Sequence, residues 1–213
     1  MVARYAAHPE VRLRQAASAG YLKHAPLDRF RVIHFATHAV VDERSAARTV
    51  LALAPDSSGD GTVGPGDLAA LHLDADLVVL SGCRTAGGVL VEGEGVQGLT
   101  GPLIQAGARS VVASQWRIAD RGSIAFVQAF YQALAEGLPV GDALRAAKLD
   151  ALRRGAPARE WAAFTVVGDP LVRVALRAPS STPPGSIAAL GALLLGVGGI
   201  VYWRARRRAD SGA

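Results

Sequence analysis

The chain has a single cysteine, Cys83, among its 213 residues. One thiol cannot form an intrachain disulfide, which excludes a small secreted fold held by disulfide staples. A lone thiol is either a small buried hydrophobe or a reactive group, and its neighbours decide which. Aromatic residues are scarce at 6%, and charged residues make up only 19%. Packing therefore falls to alanine, valine, leucine and glycine, a composition suited to a buried parallel sheet covered by helices. The N-terminal stretch MVARYAAHPEVRLRQAAS contains no apolar run of the signal-peptide kind. A basic surplus on the globular part is missing too. The formal net charge is +5, but four of those charges are Arg204, Arg206, Arg207 and Arg208 at the C-terminal end. No nucleic-acid partner is expected, because that calls for a basic stripe on the domain itself.

The longest apolar run lies near the C-terminal end. Residues 187–203 (IAALGALLLGVGGIVYW) carry no charge and sit between Pro183-Pro184 and the arginines. At about 1.5 Å per residue they reach roughly 25 Å, slightly short of a hydrocarbon core of about 30 Å. Snorkelling arginines and the interfacial pair Tyr202-Trp203 make up the difference. The expectation is one transmembrane helix at 187–203, or a sorting segment of the same build. A Pro/Ser linker at 178–186 precedes it and a basic tail at 204–213 follows it. The side on which the domain faces stays open. The arginines argue for a cytoplasmic tail, whereas the lack of a signal peptide argues against export of the domain.

Ahead of the linker, residues 9–177 read as one α/β domain. The pattern predicts a helix over 10–24 and a strand at 31–36 (RVIHFA). A second strand at 49–54 (TVLALA) is followed by a turn-rich connector, DSSGDGTVGPGD, and a short helix capped by Asp67. The segment 76–81 (DLVVLS) is the clearest buried strand, and it runs into Gly82-Cys83. Next come a helix over 96–106, a strand at 110–114 (SVVAS), amphipathic helices over 123–136 and 142–154, and a strand at 164–167. Strands alternating with helices imply a mostly parallel sheet with helices on both faces, and ligands bind beyond the carboxyl ends of such strands.

Two chemically able residues fall at such ends. RVIHFA leads into Thr37-His38-Ala39, and DLVVLS leads into Gly82-Cys83-Arg84. If those strands are neighbours, the turns join an imidazole to a thiol. The imidazole can lower the thiol's pKa and later protonate a leaving amine. Backbone N–H groups of Ala39 and Cys83 are candidates for receiving a tetrahedral oxyanion. Spacing alone leaves open whether one histidine and one cysteine form a dyad.

The segments HFATHA, DLVVLSGCRTAGG, EGEGVQGLTGPLIQAGARSVVASQW and WAAFTVVGDP, in that order, resemble the CHAT family, a group of clan-CD cysteine peptidases related to caspases and separase. The resemblance covers about residues 27–172. It implies a caspase-like three-layer sandwich, a catalytic dyad at His38 and Cys83, and a cysteine-type endopeptidase acting on a protein or peptide substrate. The alternative is a catalytically weak module acting in protein interaction or signalling at the membrane. The family often has glycine where this chain has Ala39, which would be strained if a positive φ were needed there. Members usually carry helical repeats upstream, which implies a helical-repeat partner or a preceding region, and entry into the domain after its first strand. Asp120, in WRIAD, resembles an acidic position of separase-like members and is a candidate for binding Arg or Lys in the substrate. It could equally cap the following helix or pair with Arg117 or Arg121. Ser81, two residues before the cysteine, is a neutral candidate in the same substrate-binding region.

Other features have plainer readings. Residues 56–67 imitate a calcium loop, yet Pro65, Gly66 and the terminal Asp67 favour a hairpin-like connector. His34 is expected as a core or supporting histidine. The glycines of GEGVQG lack the lysine of a phosphate loop. No metal or cofactor is expected.

Overall fold

The computed structural model describes residues 1–178 apart from 41–47, 82–88, 92–94, 117 and 119; the side chains of 89–91, 95–97 and 120–123 are also outside the description. Cys83 and the apolar run 187–203 therefore lie outside the described residues. Met1–Ala178 forms one compact unit, and the second unit, Pro179–Ala213, lies wholly outside the described residues.

The main sheet has the strand order β1 (Val32–Phe35), β5 (Leu77–Leu80), β8 (Ser110–Ser114) and β9 (Phe164–Gly168). The first three are parallel, with Ile33 opposite Val78 and Val79 opposite Val112, and β9 closes the row antiparallel to β8. Mixed α/β architecture with a mostly parallel sheet is thus observed. Every residue of β5 and β8 is buried, as continuous apolar runs in the middle of a parallel sheet should be.

Side chains alternate between two cores. Leu77, Val79 and Val112 face one that includes α4 (Asp120–Ala135) and α5 (Val140–Arg153), with Phe126, Phe130, Tyr131 and Leu144. Val78, Leu80, Val111 and Ala113 face the other, filled by α1 (Ala19–His24), α2 (Pro65–Ala69) and α3 (Thr100–Gln105) together with Leu51 and Val63. A small antiparallel sheet, β2 (His38–Val40), β3 (Val50–Ala52) and β4 (Thr62–Val63), adjoins the second core. A hairpin of β6 (Val89–Val91) and β7 (Gly95–Gln97) completes the elements.

The amino ends of the parallel strands are tied by charge. Asp76, just before β5, accepts hydrogen bonds from Arg31 Nε at 3.0 Å, Arg31 Nη2 at 2.8 Å and Arg109 Nη1 at 3.2 Å. Arg31 also pairs with Asp74, and Arg109 with Asp169. Bidentate geometry of this kind is the stronger form of ion pair.

Several expectations shift. The compact unit begins at Met1 rather than at residue 9, because Tyr5 is buried in the first core and its carbonyl accepts the Arg177 N–H. The predicted helix over 10–24 shrinks to α1. Arg14 takes a positive φ of 52°, Ala17 and Ala19 pair with Ala54, and the Ser18 hydroxyl caps α1 by accepting the Tyr21 N–H. Asp67 sits inside α2, not before it, and its carboxylate reaches back to the Gly64 N–H. The predicted helix over 96–106 begins only at Thr100, because Gly95–Gln97 pairs as β7. No helix among the described residues is long and apolar enough to cross a membrane.

Gly107 ends α3 with φ +115°, and a Cβ there would stand 2.1 Å from the Leu73 carbonyl oxygen. Its position is fixed by Leu73 N–H bonding Ala106 O at 2.9 Å and Ala108 N–H bonding Leu103 O at 3.0 Å. Gly107→Ala is expected to cost about 2 kcal/mol or more, read in a thermal melt as a midpoint lowered by roughly 4–8 °C.

Candidate functional site

The site is built where the parallel strands end. β1 stops at Phe35, and its carbonyl accepts the Ser81 N–H at 3.0 Å, one residue past β5. The two strands therefore leave the sheet side by side. The first leads within three residues to His38, and Cys83 follows Ser81 by two in the sequence. The order β1-β5 thus meets the condition set by the sequence, that the strands preceding His38 and Cys83 be neighbours.

His38 opens β2, opposite Ala52, and is exposed. The Thr37 hydroxyl donates to the Ala52 carbonyl, which anchors the turn that delivers His38. Among the described residues the imidazole of His38 has no hydrogen-bond partner, and the residue is exposed at the start of β2. Ala39 sits opposite Leu51 and packs against the second core. Arg14 is the one non-glycine residue with positive φ among those described, so Ala39 lies in ordinary extended backbone and the strain feared for it does not arise. β2 is an edge strand, and alternate amides of an edge strand point away from its neighbour.

Asp120 begins α4, three residues earlier than the helix start read from sequence; its side chain is outside the described set. An acidic residue in a first helical turn suits the helix dipole. Trp116, just past β8, is 38% exposed, and its indole N–H donates to the Arg159 carbonyl at 3.0 Å, which holds the ring at this edge.

Ser81 is half-buried and belongs to a chain of polar groups that periodicity did not reveal. Its Oγ lies 2.8 Å from His34 Nε2, and His34 Nδ1 lies 2.8 Å from the Tyr131 hydroxyl on α4. Burial pushes the His34 imidazole down to about 4 and the Tyr131 phenol well above its usual range. Both are neutral at physiological pH. The signal in the sequence was faint: a histidine and a serine on the same face of two otherwise apolar strands.

The turn-rich connector behaves as a hairpin between β3 and β4. The Asp56 carboxylate accepts N–H groups of Gly20 at 2.9 Å and Ser58 at 2.8 Å, and Asp60 accepts the Thr62 N–H at 2.9 Å. Asp67 pairs with Lys23 at 2.9 Å. Among the described residues no three His, Cys, Asp or Glu side chains converge as metal ligands would.

The CHAT domain profile matches residues 1–169. Tetratricopeptide repeat protein 28 of Mus musculus is 35% identical over 119 residues, which is 54% of this chain and 5% of that protein. Its Homo sapiens counterpart is 32% identical over 117 residues, again 54% of this chain and 5% of that protein. The chain therefore spans only a small part of the length of the curated relatives it matches. With the profile covering most of the compact unit, this chain belongs to the CHAT domain family.

Proposed function

We propose that the domain is a cysteine-type endopeptidase of caspase-like, three-layer build. In this reading the Cys83 thiolate adds to the substrate carbonyl carbon, and His38, having taken the thiol proton, returns it to the leaving amine. Water then hydrolyses the thioester with His38 again as base, releasing the acid and restoring the thiol. Amides of Ala39 and Cys83 receive the oxyanion in both steps. The observation that carries this reading is the Ser81 N–H bond to Phe35 O, which sets side by side the two strands that lead to His38 and Cys83. Ser81 leaves its part of the substrate-binding region uncharged, so a basic substrate side chain would find its carboxylate at Asp120.

The run at 187–203 is proposed as a single-pass membrane anchor; protease protection in intact against lysed cells reads which side the domain faces. A second reading, a weakly catalytic module that binds proteins at the membrane, is favoured by the relatives. They are tetratricopeptide repeat proteins by name, and the match covers 5% of their length. A helical-repeat partner or adjoining region would fit either reading. The deciding experiment is cleavage of a fluorogenic peptide library by the full chain in detergent, beside its Cys83→Ala variant. Cysteine-dependent turnover with preference for Arg or Lys supports the peptidase and Asp120. Equal background signal from both proteins selects the binding module.

A further inference from the structure

We propose that Tyr131, His34 and Ser81 form a directed hydrogen-bond relay that holds the carboxyl ends of β1 and β5 in place for thiol chemistry, with His34 and Ser81 as positioning residues. The proposal rests on the Cys83–His38 reading above. A neutral imidazole carries one N–H, so the direction of the relay has to be worked out. The Tyr131 hydroxyl is buried, and among the described residues its hydrogen-bond partner is His34 Nδ1. Were it only an acceptor, its own proton would be unpaired in the core, at a cost of about 1–3 kcal/mol. Tyr131 therefore donates to Nδ1, and the ring proton stands on Nε2, which donates to Ser81 Oγ. The Ser81 hydroxyl in turn points to Phe35 O at 3.4 Å, the same carbonyl that takes the Ser81 N–H. Each donor then has an acceptor.

This direction excludes a nucleophilic role for Ser81. Nε2 already bears a proton and cannot take one from the hydroxyl, so the pair is not a serine–base couple despite its spacing. What the relay does is mechanical. It starts on α4, where the Tyr131 ring lies 5.8 Å from both Tyr5 and Phe130 by ring centroids. It crosses β1 at His34, four residues before His38, and ends on Ser81, two residues before Cys83. Slippage of one strand end against the other is what such a tie resists, and a misplacement of about 1 Å at a reacting centre can cost on the order of 100-fold in rate.

The test uses the full chain and iodoacetamide. Cys83 is the sole cysteine, so total alkylation reads that thiol alone. Ser81→Ala and His34→Leu are expected to slow alkylation at neutral pH roughly tenfold and to lower kcat more than they raise KM. His34→Gln, whose side-chain amide nitrogen can reach the place of Nε2, keeps the bond to Ser81 Oγ but not the one from Tyr131, and should fall between wild type and His34→Leu. Thermal midpoints are measured alongside. If His34→Leu does not fold, Ser81→Ala and Tyr131→Phe, which each remove one oxygen, read the same relay. Alkylation that falls with His38→Ala but stays at the wild-type rate in Ser81→Ala and Tyr131→Phe overturns the relay alone. So does His34→Gln behaving as badly as His34→Leu. Alkylation indifferent to His38→Ala sinks the thiol reading, and the relay's role with it.

Discussion

Replacing His38 with alanine is expected to lower kcat/KM for peptide cleavage by about 10³-fold or more while leaving the fold intact. In the proposed mechanism the imidazole has two duties, taking the thiol proton and giving one to the leaving amine, and a solvent water does both poorly. His38 is exposed at the start of an edge strand, with no hydrogen bond to other described side chains. Its removal therefore orphans no buried partner among the described residues, and the thermal midpoint should stay within a few degrees. The two measurements together separate chemistry from stability. A matching loss of activity and of folded protein would instead make His38 structural. In the proposed dyad the imidazole assists deprotonation of the thiol, so in the variant iodoacetamide labelling of Cys83 should need higher pH.

Acidification is expected to weaken the domain well before its carboxylates titrate. The cause is His34, whose pKa falls from 6.5 to about 4 because the ring is desolvated against Tyr131 and the first core. Between those two values the unfolded chain binds a proton that the folded chain refuses. Stability is therefore complete above about pH 6.5 and is lost as pH falls towards 4, by roughly 3 kcal/mol at most. That is a large share of the usual 5–15 kcal/mol of a domain. The carboxylates of Asp60 and Asp67 act at lower pH. Each is held below its usual range, first by side-chain hydrogen bonds from Thr62 and Lys23 respectively, so their contribution persists until pH falls below the ordinary carboxylate range. Urea unfolding followed from neutral pH to about pH 4.5 should show the loss in wild type and a flat profile in His34→Gln. A wild-type profile that is itself flat over that window would mean that His34 is not desolvated as described.

The parts of the fold legible in the sequence were those with one dominant cause. DLVVLS and SVVAS are unbroken apolar runs, and both form fully buried strands. The spacing of Ile124, Val127, Phe130, Tyr131 and Leu134 gave α4; the last four meet the core, whereas Ile124, near its start, is exposed. Where long-range partners decide, local pattern misled. Residues 10–24 carry helical spacing, yet Ala54 takes the backbone bonds at Ala17 and Ala19 and leaves only α1. Gly95–Gln97 had the look of a helix start and became a strand because Val89–Val91 pairs with it. The candidate site divides the same way. His38 was readable because it follows a strand. The relay was not, because His34 is 47 residues from Ser81 and 97 from Tyr131 in the chain.

The clamp of Arg31, Asp76 and Arg109 lies at the amino ends of the parallel strands, whereas His38 and Ser81 lie at their carboxyl ends. Cohesion and the proposed recognition thus fall at opposite poles of one sheet. The recognition pole can be rewritten, by exchanging the segments that follow β1, β5 and β8, without loosening the pole that keeps the strands together. Such a scaffold offers an engineer a place to graft a different preference onto an unchanged base.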